Sequence, residues 1–288
     1  MVARAPGKVN LCLFLGPVRS DGRHELVTVF ESVSLADTIT VAPVPGGPAS
    51  GDEVVCAGVS GSNIVARTLD GLRARGWDAP PLRVVIEKRI PVAGGMGGGS
   101  ADAAAVLRMA SAIAPVAATV VDELAASLGA DVPSQLVPGV ALGTGAGEIV
   151  EHLEPLAPHA FVIVPQGFGL ATPDVYREAD RLGLPRNGSD LAARLRDVRG
   201  GRMPPLVNDL EPAALSLRPE IGRALEAVRD AGAAHAMVSG SGPTGFGLFF
   251  GTDASAAAAE AAAGLSARYP GAISAAPVNE DFGAPRGS

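Results

Sequence analysis

The chain has 288 residues, of which 47% are hydrophobic and 18% charged, enough to bury a core and to exclude a disordered polypeptide. A net charge of −7 and a pI near 5.2 exclude a protein that holds nucleic acid by neutralising phosphates. There is no apolar run of about 18 residues to span a membrane and no apolar signal core at the N-terminus. The two cysteines, Cys12 and Cys56, show neither metal-ligand spacing nor a disulfide framework, so a reduced, cytoplasmic compartment is expected.

Residues 9–15 form an apolar run of strand length, and a turn is expected at 19–23. Residues 25–35 alternate apolar and polar as a half-buried strand does, and 37–44 read as the next strand. A loop at 46–51 leads to a helix over 63–75, with Ile64, Leu69 and Leu72 on one face, and then to a strand over 82–90. A glycine-rich segment follows and opens an Ala-rich helix running to 114, with Ser100 or Asp102 as its expected cap. A short helix over 121–128 closes at Gly129, and 140–142 with 148–152 suggest a hairpin.

Residues 161–165 read as a buried strand opening a second domain, which places the expected domains at 1–155 and 156–288. A helix begins at Thr172, with Pro173 in its first turn. Residues 183–205 look loop-rich, and the Arg-rich stretch within them reads as solvated surface. A helix over 220–231, a strand over 236–239, a second glycine-rich turn at 240–245, a strand over 246–250, a helix over 254–268 and a last strand near 272–278 complete the chain. The tail beyond Phe282 is expected to fray. The fold class expected from this succession is α+β.

Four segments could carry chemistry. The first is Pro91, Val92, Ala93, Gly94, Gly95, Met96, Gly97, Gly98, Gly99 and Ser100. A glycine-rich turn opening a helix aims several backbone N–H groups at one point, where the helix dipole adds positive charge. That suits the phosphates of ATP. No Lys precedes Ser100, so this is not a Walker A loop, and the glycine spacing is not that of the dinucleotide fingerprint. The second segment carries Lys8 and Asn10, Lys8 being one of only two lysines in the chain. The third carries Asp131 between a helix end and Pro133, where a general base or an ordinary turn Asp could stand. The fourth is the turn at 240–245. Taken singly, Lys8 reads as readily as a surface lysine, Asp131 as a turn residue and the fourth segment as a simple turn.

Taken in order, these segments resemble the motifs of the galactokinase–homoserine kinase–mevalonate kinase superfamily. Asp21-Gly-Arg-His-Glu-Leu, Gly97-Gly-Gly-Ser-Ala-Asp, Gly129-Ala-Asp-Val-Pro, Thr172-Pro-Asp-Val-Tyr and Asn208-Asp-Leu-Glu resemble the branch that phosphorylates a cytidine-diphosphate-linked methylerythritol in the non-mevalonate isoprenoid pathway. The resemblance spans about residues 3–280. It implies a ribosomal-protein-S5-like N-terminal domain, a ferredoxin-like C-terminal domain and an active site in the cleft between them. It implies ATP phosphates on the loop 91–100, Asp131 as base with Lys8 as its partner, and substrate contacts from Asn10, Arg23, His24, Thr172 and Tyr176. Arg23 stands where that branch usually has Tyr; its guanidinium plane could stack on a base as a ring does. Mg²⁺ is expected to accompany ATP, with no dedicated protein metal site, no nucleic acid and no membrane partner. Another alcohol kinase of the superfamily, and a catalytically silent ligand sensor on the same fold, are the alternatives.

Overall fold

The computed structural model describes residues 1–44, 51–59 and 61–287. Its N-terminal sheet is founded on one long hairpin. β1 (Val2–Val18) pairs antiparallel with β2 (His24–Pro43), from Val2 opposite Thr40 to Val18 opposite His24. The sequence pattern suggested a short first strand and a break at position 36. Both strands run on past those limits, and the polar residues of the alternating stretch 25–35, Thr28, Glu31 and Ser32, are buried along with the apolar ones, so β2 is not half-buried there. The expected turn at 19–23 closes the hairpin, Arg19 N donating to Arg23 O at 2.7 Å.

The β1–β2 register slips between Pro6 and Lys8, between Asn10 and Cys12, and between Leu15 and Val18. Such irregularities bend a strand and re-aim its side chains; the first two bracket Lys8 and Asn10. β3 (Glu53–Cys56), β4 (Leu82–Glu87), β5 (Val140–Thr144) and β6 (Ile149–Leu153) complete the sheet in the order β3-β4-β2-β5-β6. β3 and β4 are parallel and the other pairs antiparallel. Of the loop expected at 46–51, all but Gly51 lies outside the described residues. On one face of the sheet pack α1 (Ile64–Ala74), α2 (Gly98–Ile113) and α3 (Ala118–Leu128), which bury Leu69, Leu72, Val106 and Leu124 in a common core with Ile39 and Val84. A one-turn helix, α4 (Val132–Leu136), follows Asp131.

The second half contributes a four-stranded sheet and helices α5 (Thr172–Arg181), α6 (Gly188–Gly200), α7 (Glu211–Leu217), α8 (Glu220–Asp230), α9 (Ala254–Leu265) and α10 (Glu280–Gly283), of which α6 and α10 pack against β1 of the first sheet. β7 (His159–Val164), β8 (His235–Val238), β9 (Gly245–Phe250) and β10 (Ile273–Ala275) are ordered β10-β7-β9-β8, all antiparallel. Read as fourth, first, third, second within a β-α-β-β-α-β succession, this is the ferredoxin-like arrangement. The whole is α+β.

Two expectations are corrected here. The region 183–205 is not loop-rich: α6 starts on Asn187, whose Oδ1 accepts from Asp190 N at 2.9 Å, and buries Leu191 and Val198. Its many arginines are partly committed, Arg186 pairing bidentately with Asp209 at 2.6 and 2.8 Å. The tail is not frayed either. Val2 and Arg286 exchange backbone hydrogen bonds at 2.9 and 2.8 Å, and Arg108 donates to the carbonyls of Gly283, Gln135 and Arg4.

The two sheets meet across a shared apolar seam. Val9, Leu11, Phe14 and Val29 of the first pack with Phe161, Ile163, Phe246 and Leu248 of the second. Burying each such side chain contributes about 1.5–3 kcal/mol. Glu31 of β2 and His159 of β7 cross the same seam, Nε2 to Oε2 at 2.8 Å, each side chain only 2% exposed. His159 Nδ1 lies 2.8 Å from Ala157 O. With an ionised Glu31 both partners are acceptors, and both ring nitrogens then carry protons.

Burial pulls the pKa of the His159 imidazole down, but the hydrogen bond and charge of Glu31, with the Ala157 carbonyl, raise it above its ordinary 6.5. The folded state therefore holds this proton more tightly than the unfolded chain does. The stability it contributes is complete below pH 6.5 and is lost as pH climbs through the raised value. Glu31→Gln should flatten that dependence. Chemical denaturation between pH 6.5 and about 9 should show the wild type losing stability faster than the variant; parallel curves would refute the assignment.

Candidate active site

The loop between β4 and α2 is shaped by where its glycines must go. Gly97 is the N-cap residue of α2 at φ +65°, so neither Ser100 nor Asp102 caps the helix as the sequence suggested. Both lie inside its first turns, and the helix begins without a side chain folded over it. The first-turn N–H groups, which have no intrahelical acceptor, are left to face the space in front. Gly95, at φ +78°, explains the density of glycine. A Cβ there would stand 2.5 Å from Ser239 O and 2.8 Å from Gly242 O. The loop is thus pressed backbone to backbone against the second glycine-rich turn. Thr244 N donates to Gly94 O at 3.3 Å and Ser239 Oγ to Gly95 O at 3.1 Å. Met96, the one large residue in the run, is 1% exposed and anchors the loop in the apolar seam.

The second turn is held from behind by the Asn208-Asp-Leu-Glu segment. Asn208 Nδ2 donates to Val238 O and Gly240 O at 2.9 and 2.8 Å, and Glu211 Oε2 accepts from Val238 N at 2.8 Å. These residues position a turn rather than face a ligand.

Lys8 comes to the loop from the β1 irregularity. Its side chain is 5% exposed, and its Nζ donates to Asn10 Oδ1 at 2.7 Å and Gly95 O at 3.3 Å and lies 3.5 Å from Asp131 Oδ2. Asp131 stands at the N-cap position of α4 yet makes no cap bond. A turn or cap Asp would spend its carboxylate on its own backbone. This one turns it toward Lys8 and the loop, where a Cβ on Gly97 would lie 3.2 Å from Lys8 Cε and 3.6 Å from Asp131 Oδ2.

The chain's other lysine flanks the loop on its far side. Lys88 Nζ would lie 3.3 Å from a Cβ on Gly98 and is bound by Asp37 Oδ2 at 2.5 Å and Asp102 Oδ2 at 2.9 Å. Burial opposes the charge on Lys88, but the two carboxylates outweigh it and its pKa is raised. Asp37 Oδ1 also accepts from the backbone N–H groups of Arg89 and Ile90, so it fixes the chain entering the loop. Asp102 Oδ1 is buried without a partner, and burial pushes its carboxyl up to about 7 despite Lys88. In the sequence, Lys88 stands out only as the second of two lysines, and nothing there connects it with Asp37 and Asp102. Pairing of β2 with β4 brings Asp37 to Lys88 and the packing of α2 adds Asp102, neither of which a local pattern announces.

These elements enclose a cavity of about 570 Å³. Lys8, Asn10, Thr28, Phe30, Asp131, Thr172, Tyr176 and Ser241 line it with the whole loop 91–100, as do Cys56, Asn63, Ile64, Lys88 and Asp102. Thr172 and Ser241 share a hydroxyl hydrogen bond at 2.9 Å that joins α5 to the second turn. Burial, with the charge of Asp131, pushes the Tyr176 phenol far above its ordinary pKa, so it stays a neutral donor. Of the residues singled out in the sequence, Lys8, Asn10, Asp131, Thr172, Tyr176 and the loop converge on this cavity.

Arg23 and His24 do not line it. Arg23 is exposed at the hairpin turn, its guanidinium on Asp21 at 2.9 and 3.1 Å. His24 is buried behind Tyr176, ring centroids 5.5 Å apart, with Nδ1 at 2.9 Å from Gly16 O and Nε2 at 3.2 Å from Asp180 Oδ1. It props the aromatic wall from outside.

Comparison with known proteins gives the same answer over most of the chain. The model of the GHMP kinases N terminal domain matches residues 63–143, and that of the GHMP kinases C terminal region matches 190–271. A curated 4-diphosphocytidyl-2-C-methyl-D-erythritol kinase of Streptomyces coelicolor is 43% identical over 273 residues, covering 89% of each chain. The chain belongs to the GHMP kinase family. It is an ATP-dependent kinase. The kinase of the same name from Corynebacterium efficiens is also 43% identical, over 85% of this chain and 83% of its own. A crystal structure of 4-(cytidine 5′-diphospho)-2C-methyl-D-erythritol kinase superposes with TM-score 0.76 at 35% identity, covering 96% of this chain and 99% of that one. Homoserine kinase from Cytophaga hutchinsonii, at 18% identity and TM-score 0.70, shares the fold.

Gly95→Ala tests the contact that shapes this kinase's loop. The added methyl meets two backbone oxygens in a left-handed conformation, so the loop must shift. The variant should lose about 2 kcal/mol or more of stability and bind ATP at least about tenfold more weakly. Calorimetry and nucleotide titration read both; unchanged affinity would mean that the loop tolerates separation from the second turn.

Proposed function

We propose that the protein transfers the γ-phosphoryl group of ATP to the erythritol hydroxyl of 4-diphosphocytidyl-2-C-methyl-D-erythritol. The observation that carries the chemistry is the placement of an uncapped Asp131 carboxylate 3.5 Å from the buried Lys8 ammonium, in front of the glycine-capped start of α2. The choice of acceptor rests on the names of the relatives that are most of this chain's length.

In this reading Asp131 takes the proton as the substrate's O–H bond breaks. The hydroxyl oxygen forms a bond to the γ-phosphorus, and the bond to the β,γ-bridging oxygen breaks with its electron pair leaving on ADP. Lys8 steadies the charge that develops on the transferring group. The loop's N–H groups hold the phosphates without needing a net positive protein. Tyr176, Thr172 and Asn10 contact the acceptor. His24 acts through Tyr176, and Arg23 is assigned no contact.

Mg²⁺ is proposed to enter with ATP. Among the described residues no group of three or more His, Cys, Asp or Glu is placed to hold a metal ion. The Ser100 hydroxyl, which lines the cavity, suits an ion kept mainly by phosphates and water; bound, the ion would neutralise charge on the transferring group. Among the described residues no helix is long and apolar enough to cross a membrane. With Cys12 and Cys56 both free, a reducing cytoplasm fits the chain.

The direct test is ADP release with the cytidyl substrate, with homoserine and mevalonate as parallel acceptors. Turnover on the cytidyl substrate alone is expected. Turnover on another acceptor alone would move the substrate, and ATP binding with no turnover on any would favour a sensor. Asp131→Asn should leave ATP affinity within about twofold and lower kcat by about 10²–10⁴-fold, the range for removing a general base; undiminished turnover would remove Asp131 from that role. Because its guanidinium stands outside the cavity, Arg23→Tyr should leave KM for the cytidyl substrate within about threefold, since surface changes cost about 0.5 kcal/mol or less. A larger rise would place Arg23 on the substrate.

A further inference from the structure

We propose that Thr28, a β2 residue outside the motifs, is a positioning residue for phosphoryl transfer: its hydroxyl dictates which end of the Asn10 amide faces Lys8. This rests on the reading of Lys8 and Asp131 given above. Thr28 is 1% exposed, and Asn10 is 2% exposed. The Thr28 hydroxyl lies 2.6 Å from Cys12 O and 2.8 Å from Asn10 Nδ2. A hydroxyl has one proton to give, and a backbone carbonyl can only accept. At 2.6 Å that proton is committed to Cys12, which the irregularity between Asn10 and Cys12 brings within reach.

Thr28 Oγ can then only accept from Asn10. The amide must present its NH₂ end to Thr28 and its oxygen to Lys8 Nζ, 2.7 Å away. In the flipped amide, the carbonyl oxygen would face the Thr28 oxygen, acceptor against acceptor, and the NH₂ group would face a buried ammonium, donor against donor. The order Cys12 carbonyl, Thr28 hydroxyl, Asn10 amide, Lys8 ammonium is therefore fixed from the backbone outward. It ends with Lys8 held 3.5 Å from Asp131. Without the hydroxyl, the Asn10 NH₂ group loses its acceptor, the amide is no longer held from behind, and the shortest hydrogen bond of Lys8 loosens. The ammonium is then free to move by the order of 1 Å that reacting geometries do not tolerate.

Thr28→Val keeps the shape and removes the hydroxyl. It should lower kcat by about 10- to 100-fold while leaving KM for ATP within about twofold, because the loop that binds the nucleotide is untouched. Thr28→Ser, which restores the hydroxyl, should return kcat to within about threefold of the wild type. Thr28→Cys, similar in size and weak as a donor and acceptor, should resemble the valine variant and serves if valine does not fold. In an Asn10→Ala background, Thr28→Val should change kcat by less than about twofold, since Thr28 acts through Asn10. A folded Thr28→Val or Thr28→Cys enzyme with kcat within about twofold of the wild type would overturn the proposal, as would a serine variant as slow as valine. Lys8→Met and Asp131→Asn run alongside separate the two levels. If they are slow and Thr28→Val is not, Thr28 alone is wrong; if they too are fast, the base reading fails first.

Discussion

The backbone-to-backbone approach of the loop at Gly95 to the turn at Ser239 and Gly242 is the contact on which the site depends. It brings a carbonyl oxygen, Gly95 O, to where Lys8 Nζ and Ser239 Oγ both donate to it. It sets Gly97 beside Lys8 and Asp131. No side chain fits between these segments, so the glycines are positional requirements rather than a source of looseness. The loop is correspondingly well tied: Lys8 N donates to Met96 O at 3.0 Å, and Met96 is buried in the seam. If the loop takes the ATP phosphates as proposed, the site is organised before the ligand arrives, which lowers the ordering cost of binding.

That contact holds only because the two sheets are fixed to each other. The loop belongs to the first sheet's connections and the turn to the second's. Phe14, Phe161, Phe246 and the buried Glu31–His159 pair make the seam between them a continuous interior. A buried ion pair is weak evidence for net stability, because desolvation offsets much of the attraction. Its effect here is directional: it is satisfied only when β2 and β7 sit in one relation, which the apolar contacts alone specify less sharply. The C-terminal segment adds a second tie. Arg108 on α2 reaches Arg4 on β1, Gln135 on α4 and Gly283 of α10, joining the elements that carry the loop, Lys8 and Asp131.

Much of this was legible in the sequence where a single local pattern decides the outcome. The glycine run, the helix at 63–75, Pro173 at a helix start and the alternation in the second half led to the right elements, and Lys8 and Asp131 could be placed near the loop through motif order. What stayed hidden was set by tertiary contact. The hairpin read as short strands because its full length is set by the continuous pairing of β1 with β2 rather than by either strand's own pattern. The helix 188–200 read as loop because glycines and arginines dilute the spacing of Leu191, Leu195 and Val198, although Asn187 marks its start. Thr28 and Asp37 lie in stretches that read as plain strand. Their importance comes from what β1 and β4 place opposite them. Arg23 and His24 show the converse, since motif position suggested substrate contact and the fold turns Arg23 to solvent and His24 to the back of Tyr176.

The use of lysine at position 8, in a chain with twenty-one arginines and two lysines, has a physical reason. An ammonium offers three donors around one small centre, and Lys8 meets Asn10 Oδ1, Gly95 O and Asp131 from three sides within 3.5 Å. A guanidinium spreads five donors across a plane and would need a wider pocket, whereas Gly97 and Gly240 already stand so close that a Cβ on either would lie within 3.4 Å of the lysine. The same holds for Lys88, wedged between Asp37 and Asp102 beside Gly98. The arginines are placed where forks and length are useful: on Asp209, on Asp52 and on the carbonyls that Arg108 gathers. A protein of net charge −7 thus concentrates compact positive charge on both sides of one helix start. One of these charges is neutralised by two carboxylates. The other is left with a single, partly exposed one, and that asymmetry is why the proposed transfer is placed on the Lys8 side.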